Sequence, residues 1–402
     1  MPRFSSQRLH QLGSAIFSEV SEWKKEVRAA GKDIIDLGIG SPDLPPSPGI
    51  MESLREAVSD PLAYSYPGTR GMPEFLQAVA RWYAQRFQVK LNPETEIVSL
   101  MGSQDGLAHL SLAVADAGDI ALIPDPGYPI YSAALVLAGV TPYLMPLRQE
   151  NQFLPDLDDI PEDVAKKAKY ILCNYPSNPS AAVADLAFFE KLVAFARRYD
   201  LLIVHDLAYS EMAFDGFIPP SIMQVPGAKE IAVEFHSLSK SFNMAGCRIA
   251  FMVGCPEAVQ ALTMLKSNID YGVFEAVQRA GITALEEDLA GREPVAGVYE
   301  SRRNVLVSSL KEAGWSVPSP KATMFIWAPI PEGWTSRQIS REILYHTGVV
   351  VIPGDAFGQQ GEGFVRIALV QHEERLAEAA LRLKPFIDMQ RQSGRWKLPA
   401  LS

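Results

Sequence analysis

The densest group of reactive side chains is the run His236-Ser237-Leu238-Ser239-Lys240-Ser241, with Arg248 eight residues beyond the lysine. Two hydroxyls and a guanidinium around an amine suit a phosphate, whose oxygens accept such donors. A lysine in a dry cleft near other cations sheds its proton more easily and becomes a nucleophile. A solvated basic turn has the same local look, but here the apolar runs Ile231 to Phe235 and Ile249 to Val253 flank it on both sides. Ser237 and Lys240 also form an S-x-x-K pair, the arrangement of serine acyl-transfer enzymes. That chemistry expects S-D-N and K-T-G downstream, and neither tripeptide occurs.

Other strand ends carry groups of compatible chemistry. Ile97 to Leu100 leads into Met101-Gly102-Ser103-Gln104-Asp105-Gly106, a glycine turn opening a helix, where free N–H groups attract an anion. By itself it is equally a plain turn. Tyr170 to Cys173 leads into Asn174-Tyr175-Pro176-Ser177-Asn178-Pro179, a double-proline loop able to fix the Asn178 amide; alone it reads as ordinary Asn-Pro turn chemistry. Leu201 to Val204 leads into His205-Asp206-Leu207-Ala208-Tyr209. A carboxylate there is costly unless it meets a cation or strong donor, the plain alternatives being a helix cap or a solvated loop acid. His205 reads as structural.

The elements that must position these residues form a regular series. From residue 74 onward helix patterns alternate with short apolar runs, the order that builds a parallel sheet covered on both faces. Phe75, Val79, Trp82, Tyr83 and Phe87 make one helix stripe, and Phe189, Leu192, Val193 and Ala196 another within 188–199. The strands predicted are Ile97 to Leu100, Ile120 to Ile123, Tyr143 to Met145, Tyr170 to Cys173, Leu201 to Val204, Ile231 to Phe235 and Ile249 to Val253. The result is a doubly wound α/β domain, with ligands expected beyond the carboxyl ends of its strands.

A polar break around Glu286 to Glu293 precedes a smaller α+β region: a helix near Val298 to Leu310, strands at Trp315 to Val317 and Met324 to Trp327, and a helix from Glu374 to Phe386. The expected division is an arm over 1–48, a large domain over 49–288 and a small domain over 289–402, the arm packing with the small domain or over the cleft. Two domains also follow from the length of 402 residues, beyond what one core usually fills.

Composition narrows the function classes. A net charge of −10 argues against a broad nucleic-acid interface, which needs clustered Lys and Arg. No stretch reaches membrane-span length, and Met1 to Val20 reads as neither signal peptide nor anchor. Cys173, Cys247 and Cys255 form no disulfide framework and read as small buried hydrophobes, so a cytoplasmic setting is expected. The six histidines give no convincing metal site. Gly38-Ile39-Gly40 could begin a dinucleotide fingerprint, but Ser41-Pro42-Asp43 lacks its final glycine. A ligand-sensing regulator would normally append a basic DNA-binding module, for which the acidic chain leaves no room.

Taken together, Gly40, Tyr66, Gly102-Ser103, Tyr128, Asn178, Asp206-x-x-Tyr209, Ser237-x-Ser239-Lys240, Arg248 and Arg366 resemble, in order and context, the class I/II aminotransferases of fold type I. These depend on pyridoxal 5'-phosphate (PLP), and the likeness covers nearly the whole chain. It implies that Lys240 carries the cofactor as a Schiff base and then acts as the general base at the substrate Cα. Asp206 would keep the pyridinium nitrogen protonated, Asn178 and Tyr209 would bond the ring's phenolic oxygen, and Tyr128 would stack on the ring. Ser103, Gln104, Ser237, Ser239 and Arg248 would hold the phosphate. Tyr66 would reach the phosphate of a neighbouring subunit, implying a homodimer with shared sites. Arg366, whose bland alternative is a surface arginine on an edge strand, would take the substrate carboxylate in a bidentate fork, near Gly40, Tyr128 and Asn178.

A narrower likeness lies in Asp36-Leu37-Gly38-Ile39-Gly40-Ser41-Pro42-Asp43, Pro124-Asp125-Pro126-Gly127-Tyr128-Pro129 and Glu234-Phe235-His236-Ser237-Leu238-Ser239-Lys240. These resemble the subgroup holding LL-diaminopimelate and methionine-salvage aminotransferases, with aspartate-type and aromatic donors as alternatives. The chain departs from that subgroup with Ser177-Asn178-Pro179-Ser180-Ala181 for Asn-Asn-Pro-Thr-Gly, Gly246-Cys247-Arg248 for Gly-Trp-Arg, and Gln104 where a lysine is frequent. By the same resemblance the distal end of the substrate falls near Lys266 to Gly272, with Asp270 or Tyr271 as the expected contact.

Overall fold

The computed structural model describes residues 4–12, 15–291 and 295–399. Residues 1–3 and 13–14 of the expected arm, 292–293 of the expected polar break, and 294 and 400–402 of the expected small domain lie outside the described residues. Strands are numbered here in chain order, beginning with β1 (Ile35–Asp36). The main sheet then takes β2 (Ile97–Leu100), β3 (Ile120–Asp125), β4 (Thr141–Pro146), β5 (Ala168–Asn174), β6 (Leu202–Asp206), β7 (Ala232–Ser237) and β8 (Ala250–Gly254). Each overlaps a run predicted from sequence, and five of the seven are longer than predicted by one to three residues.

The sheet order is β2-β8-β7-β6-β5-β3-β4. Strands β2, β7 and β8 are buried at every residue, so they lack hydrophobic alternation for the physical reason that helices cover both faces. One face packs on Pro73–Arg86 and Leu186–Tyr199, with Phe75, Trp82, Tyr83 and Phe189 fully buried; the other packs on Ser103–Val114 and Pro256–Lys266. Burying each large apolar side chain contributes about 1.5–3 kcal/mol. Asp185 starts the second of these helices by accepting the Phe188 N–H at 2.8 Å.

One strand is reversed: β8 runs antiparallel to both β2 and β7. No crossover helix separates β7 from β8, and a parallel return needs one. The reversal brings the start of β8, and with it Arg248, to the edge where the other strands end. Ala250 pairs with both Ser237 and Leu100, setting three chain segments in one row.

The C-terminal part holds a second core. Strands β9 (Phe325–Pro329), β11 (Ile352–Pro353) and β12 (Phe364–Ala368) form an antiparallel sheet, and β10 (Val349–Val350) pairs with β1. Helices Ala296–Ala313 and Glu373–Gln392 close it, packing Leu306, Leu310, Leu376 and Leu383 together. The strand expected at Trp315 to Val317 is absent. Trp315 instead sits fully buried with its indole N–H donating to the Pro329 carbonyl at 2.9 Å, an apolar plug satisfied without a sheet partner. The N-terminal helix Ala15–Ala29 packs Ile16, Val20 and Val27 against Trp327, Leu344 and Phe357. No helix among the described residues is long and apolar enough to cross a membrane.

Candidate active site

The strand ends open into a cavity of about 1190 Å³ between the main sheet and the C-terminal core. Gly40, Ser103, Gln104, Tyr128, Asn178, Asp206, Tyr209, Ser237, Ser239, Lys240, Arg248 and Arg366 all line it. Tyr66, Asp270 and Tyr271 do not. Tyr66 and Tyr271 pack against each other at the surface as tilted rings, 5.5 Å between centroids, and Asp270 is engaged by Lys266 at 2.9 Å. The contact expected of Asp270 or Tyr271 with a distal group is therefore not made within this chain's own cavity.

Asp206 ends β6 and is buried. Burial pushes its carboxyl above the usual range, while the Tyr131 hydroxyl at 2.8 Å, the Ala208 N–H and the Lys240 charge pull the other way. Asn174, at the end of β5 and paired with Asp206 in the ladder, binds the Asp206 carbonyl through Nδ2 and accepts the Asn178 N–H through Oδ1. Asn174 and Tyr131 were not singled out from sequence. Asn174 was findable, since it stands at a strand end within the motif already quoted. Tyr131 lies one helical turn from Tyr128, and only the fold brings it to the acid.

Lys240 lies in the one-turn helix after β7, its amine 2.7 Å from the Gly40 carbonyl. Burial, with the charges of Arg366 and Arg248, brings its pKa down to about 8 despite the opposing pull of Asp206. Gly40 has to be glycine: a Cβ there would come within 2.6 Å of the Phe325 ring.

Arg366 is buried on β12, and burial lowers its pKa to about 10. Its Nη1 donates to Asn178 Oδ1 at 2.8 Å and its Nη2 to the Gly38 carbonyl at 2.9 Å. The guanidinium lies 4.2 Å from the Phe325 ring centroid and 4.6 Å from that of Phe357. Among the described residues it makes no ion pair, and its Nε is buried without a hydrogen-bond partner. A buried, unpaired cation is costly until an anion arrives, which suits a carboxylate-binding position.

The groups present fit a phosphorylated pyridine aldehyde. At one end, hydroxyls of Ser103, Ser237 and Ser239 join Arg248 and the N-terminus of the helix Ser103–Val114. Gly102, at φ +89°, gives up the space a side chain would take, since a Cβ would lie 2.3 Å from the Arg248 guanidinium. At the other, a pyridinium N–H would return Asp206 to its charged form. Gln104, expected at the phosphate, uses its Oε1 to accept the Tyr128 hydroxyl at 2.8 Å. His205 is structural, bonded to buried Glu234 at 2.8 Å.

Comparison with known proteins agrees with this chemistry. The family described as aminotransferase class I and II matches residues 32–383. An LL-diaminopimelate aminotransferase of Trichormus variabilis is 47% identical over 380 residues, covering 94% of this chain and 97% of its own. BacF of Bacillus subtilis with substrate bound superposes with a TM-score of 0.91 at 36% identity, covering 100% of both chains. A probable N-succinyldiaminopimelate aminotransferase of Thermus thermophilus gives 0.86 at 41% identity, covering 92% of this chain and 99% of that one. The chain therefore belongs to the class I and II aminotransferases, PLP-dependent enzymes that move an amino group between an amino acid and a 2-oxo acid.

Proposed function

We propose that the amino donor is LL-2,6-diaminopimelate and the acceptor 2-oxoglutarate, in a homodimer that shares its sites. The observation that carries the donor is the 47% identity to relatives named for that activity, at nearly full coverage of both chains. The three free cysteines support a reducing, cytoplasmic setting.

When bound, the pyridoxal ring supplies an electron sink for the charge left as the substrate Cα loses its proton. Lys240 would hold the cofactor through its amine and, when that amine is free, would move the proton at the substrate Cα. A pKa near 8 lets it serve as base and acid near neutral pH. Asp206 would hold the ring nitrogen, Asn178 and Tyr209 would bond the phenolic oxygen, and Tyr128 would pack on the ring. Arg366 receives the α-carboxylate through a planar fork already held by Asn178, Gly38 and two aromatic rings, so little ordering remains to be done on binding.

Tyr66 is 88% exposed and meets no group of its own cavity. Its surface position, packed against Tyr271, supports a role in the site of a second subunit. The Lys266 to Gly272 loop would then act across the interface.

The donor is tested by a panel with 2-oxoglutarate as acceptor: LL-diaminopimelate, its N-succinyl derivative, aspartate, phenylalanine and methionine. The reading requires LL-diaminopimelate to give the highest kcat/KM. A higher value for any of the others defeats the donor assignment and leaves the family untouched.

A further inference from the structure

We infer that Lys266 is a positioning residue for the cofactor phosphate, acting as the counter-charge that keeps Asp105 compatible with an anion at the helix start. The inference rests on the phosphate lying at Ser103, as proposed above. Asp105 is two residues along the same helix, within its first turn, about 3 Å further along the axis. Its carboxylate ties the cradle together. It lies 3.1 Å from His109 Nδ1, and the Met101 backbone just ahead of Gly102 helps to hold it below the usual carboxylate range. That anchor carries a cost, because a carboxylate beside a phosphate site repels the incoming dianion.

Lys266 offsets this charge. Its side chain is fully buried at the end of the helix Pro256–Lys266, with Nζ 3.8 Å from Asp105 and 2.9 Å from Asp270. A buried ammonium is retained only with paired charge, and here both partners are carboxylates. The Lys266 carbonyl also accepts the N–H groups of Ile269, Asp270 and Tyr271. One residue thus binds the start of the phosphate helix to the turn presenting Tyr271. None of the four side chains Asp105, His109, Lys266 and Asp270 lines the cavity, so their influence on the cofactor passes through the helix and its field.

Full-length protein stripped of cofactor is titrated with PLP and with pyridoxal, which lacks the phosphate, following visible absorbance. Lys266→Met should weaken PLP binding about tenfold, the effect of one lost charge interaction of about 1.4 kcal/mol. Pyridoxal binding should change less than about twofold, since it has no phosphate to repel. In an Asp105→Asn background the PLP loss caused by Lys266→Met should be largely restored toward wild type, since the carboxylate that repels the phosphate is gone. Equal losses for PLP and pyridoxal, or an undiminished loss in that background, overturn the inference. Should Lys266→Met not fold, Asp105→Asn alone must shift selectivity toward PLP over pyridoxal; no shift, or the opposite one, overturns it as well. Wild-type protein that binds PLP no better than pyridoxal would instead remove the phosphate assignment on which the inference stands.

Discussion

Lys240 sits among groups that oppose its protonation, and this sets the pH at which it reacts. Only the neutral amine attacks an aldehyde, so cofactor capture by stripped protein should accelerate with pH and level off above about 8. A stopped-flow pH series checks this; a midpoint near the ordinary lysine range would mean that burial and the Arg248 and Arg366 charges do not act as described. Asp206 offers a second test. Asp206→Asn keeps the shape but removes the charge that stabilises a ring cation, and should lower kcat by about 10²–10³, the usual size of such an electrostatic loss. Arg366→Lys should act on substrate binding, raising KM with a fall in kcat/KM worth about 1.5–3 kcal/mol. Lys240 and Asp206 were legible because each is a costly side chain just past an apolar run; Arg366, in the middle of β12, was legible only through the family resemblance. Asn174 stands at a strand end and was within reach of the same reasoning; Tyr131 was not, because a phenol at an ordinary position acquires meaning only from the acid it contacts.

At the scale of elements, the seven main strands were legible from apolar runs between helical stripes, since the sheet is buried on both faces. What the periodicity did not carry was direction. The reversal of β8 follows from a connection too short to cross the sheet, and it moves Arg248 to the reactive edge. Trp315 misled in the opposite sense: the alternation Trp315-Ser316-Val317 satisfies strand patterning, but the indole is bonded to a neighbouring carbonyl instead of entering a ladder. Beneath the site, Glu234 joins β7 to its neighbours, bonding His205, His236, Tyr83 and Ser221. Burial alone would raise its carboxyl, but the two histidines hold it well below the usual range. A group depressed in the folded state stabilises fully above its unfolded pKa and loses that contribution as pH falls through the folded value. Thermal stability should therefore decline progressively below the ordinary glutamate range. Glu234→Ala should cost about 3–5 kcal/mol, the price of breaking a buried charge network, and flatten that acid limb in calorimetry.

At the scale of the molecule, the cavity lies where two hydrophobic cores meet, and groups from both converge on it: Lys240 and Asp206 from one, Arg366 from the other. Tyr66 lies outside it and is the residue that argues for a second subunit. Sedimentation should give about twice the 44.1 kDa chain mass. Mixing inactive Lys240→Ala with Tyr66→Ala protein should produce hybrids more active than either parent, because one site then holds both native residues. Activity no higher than that of the parents would mean that the sites are not shared.

The central claim is that Lys240 holds PLP covalently in an aminotransferase site. Reduction of the purified protein with borohydride, followed by peptide mass spectrometry, tests it most directly. The protein should be yellow and lose that colour on reduction, with the cofactor's mass fixed to the peptide bearing Lys240 and no such adduct in Lys240→Ala. Colourless wild-type protein that takes up no PLP, or an adduct on another lysine, would contradict it.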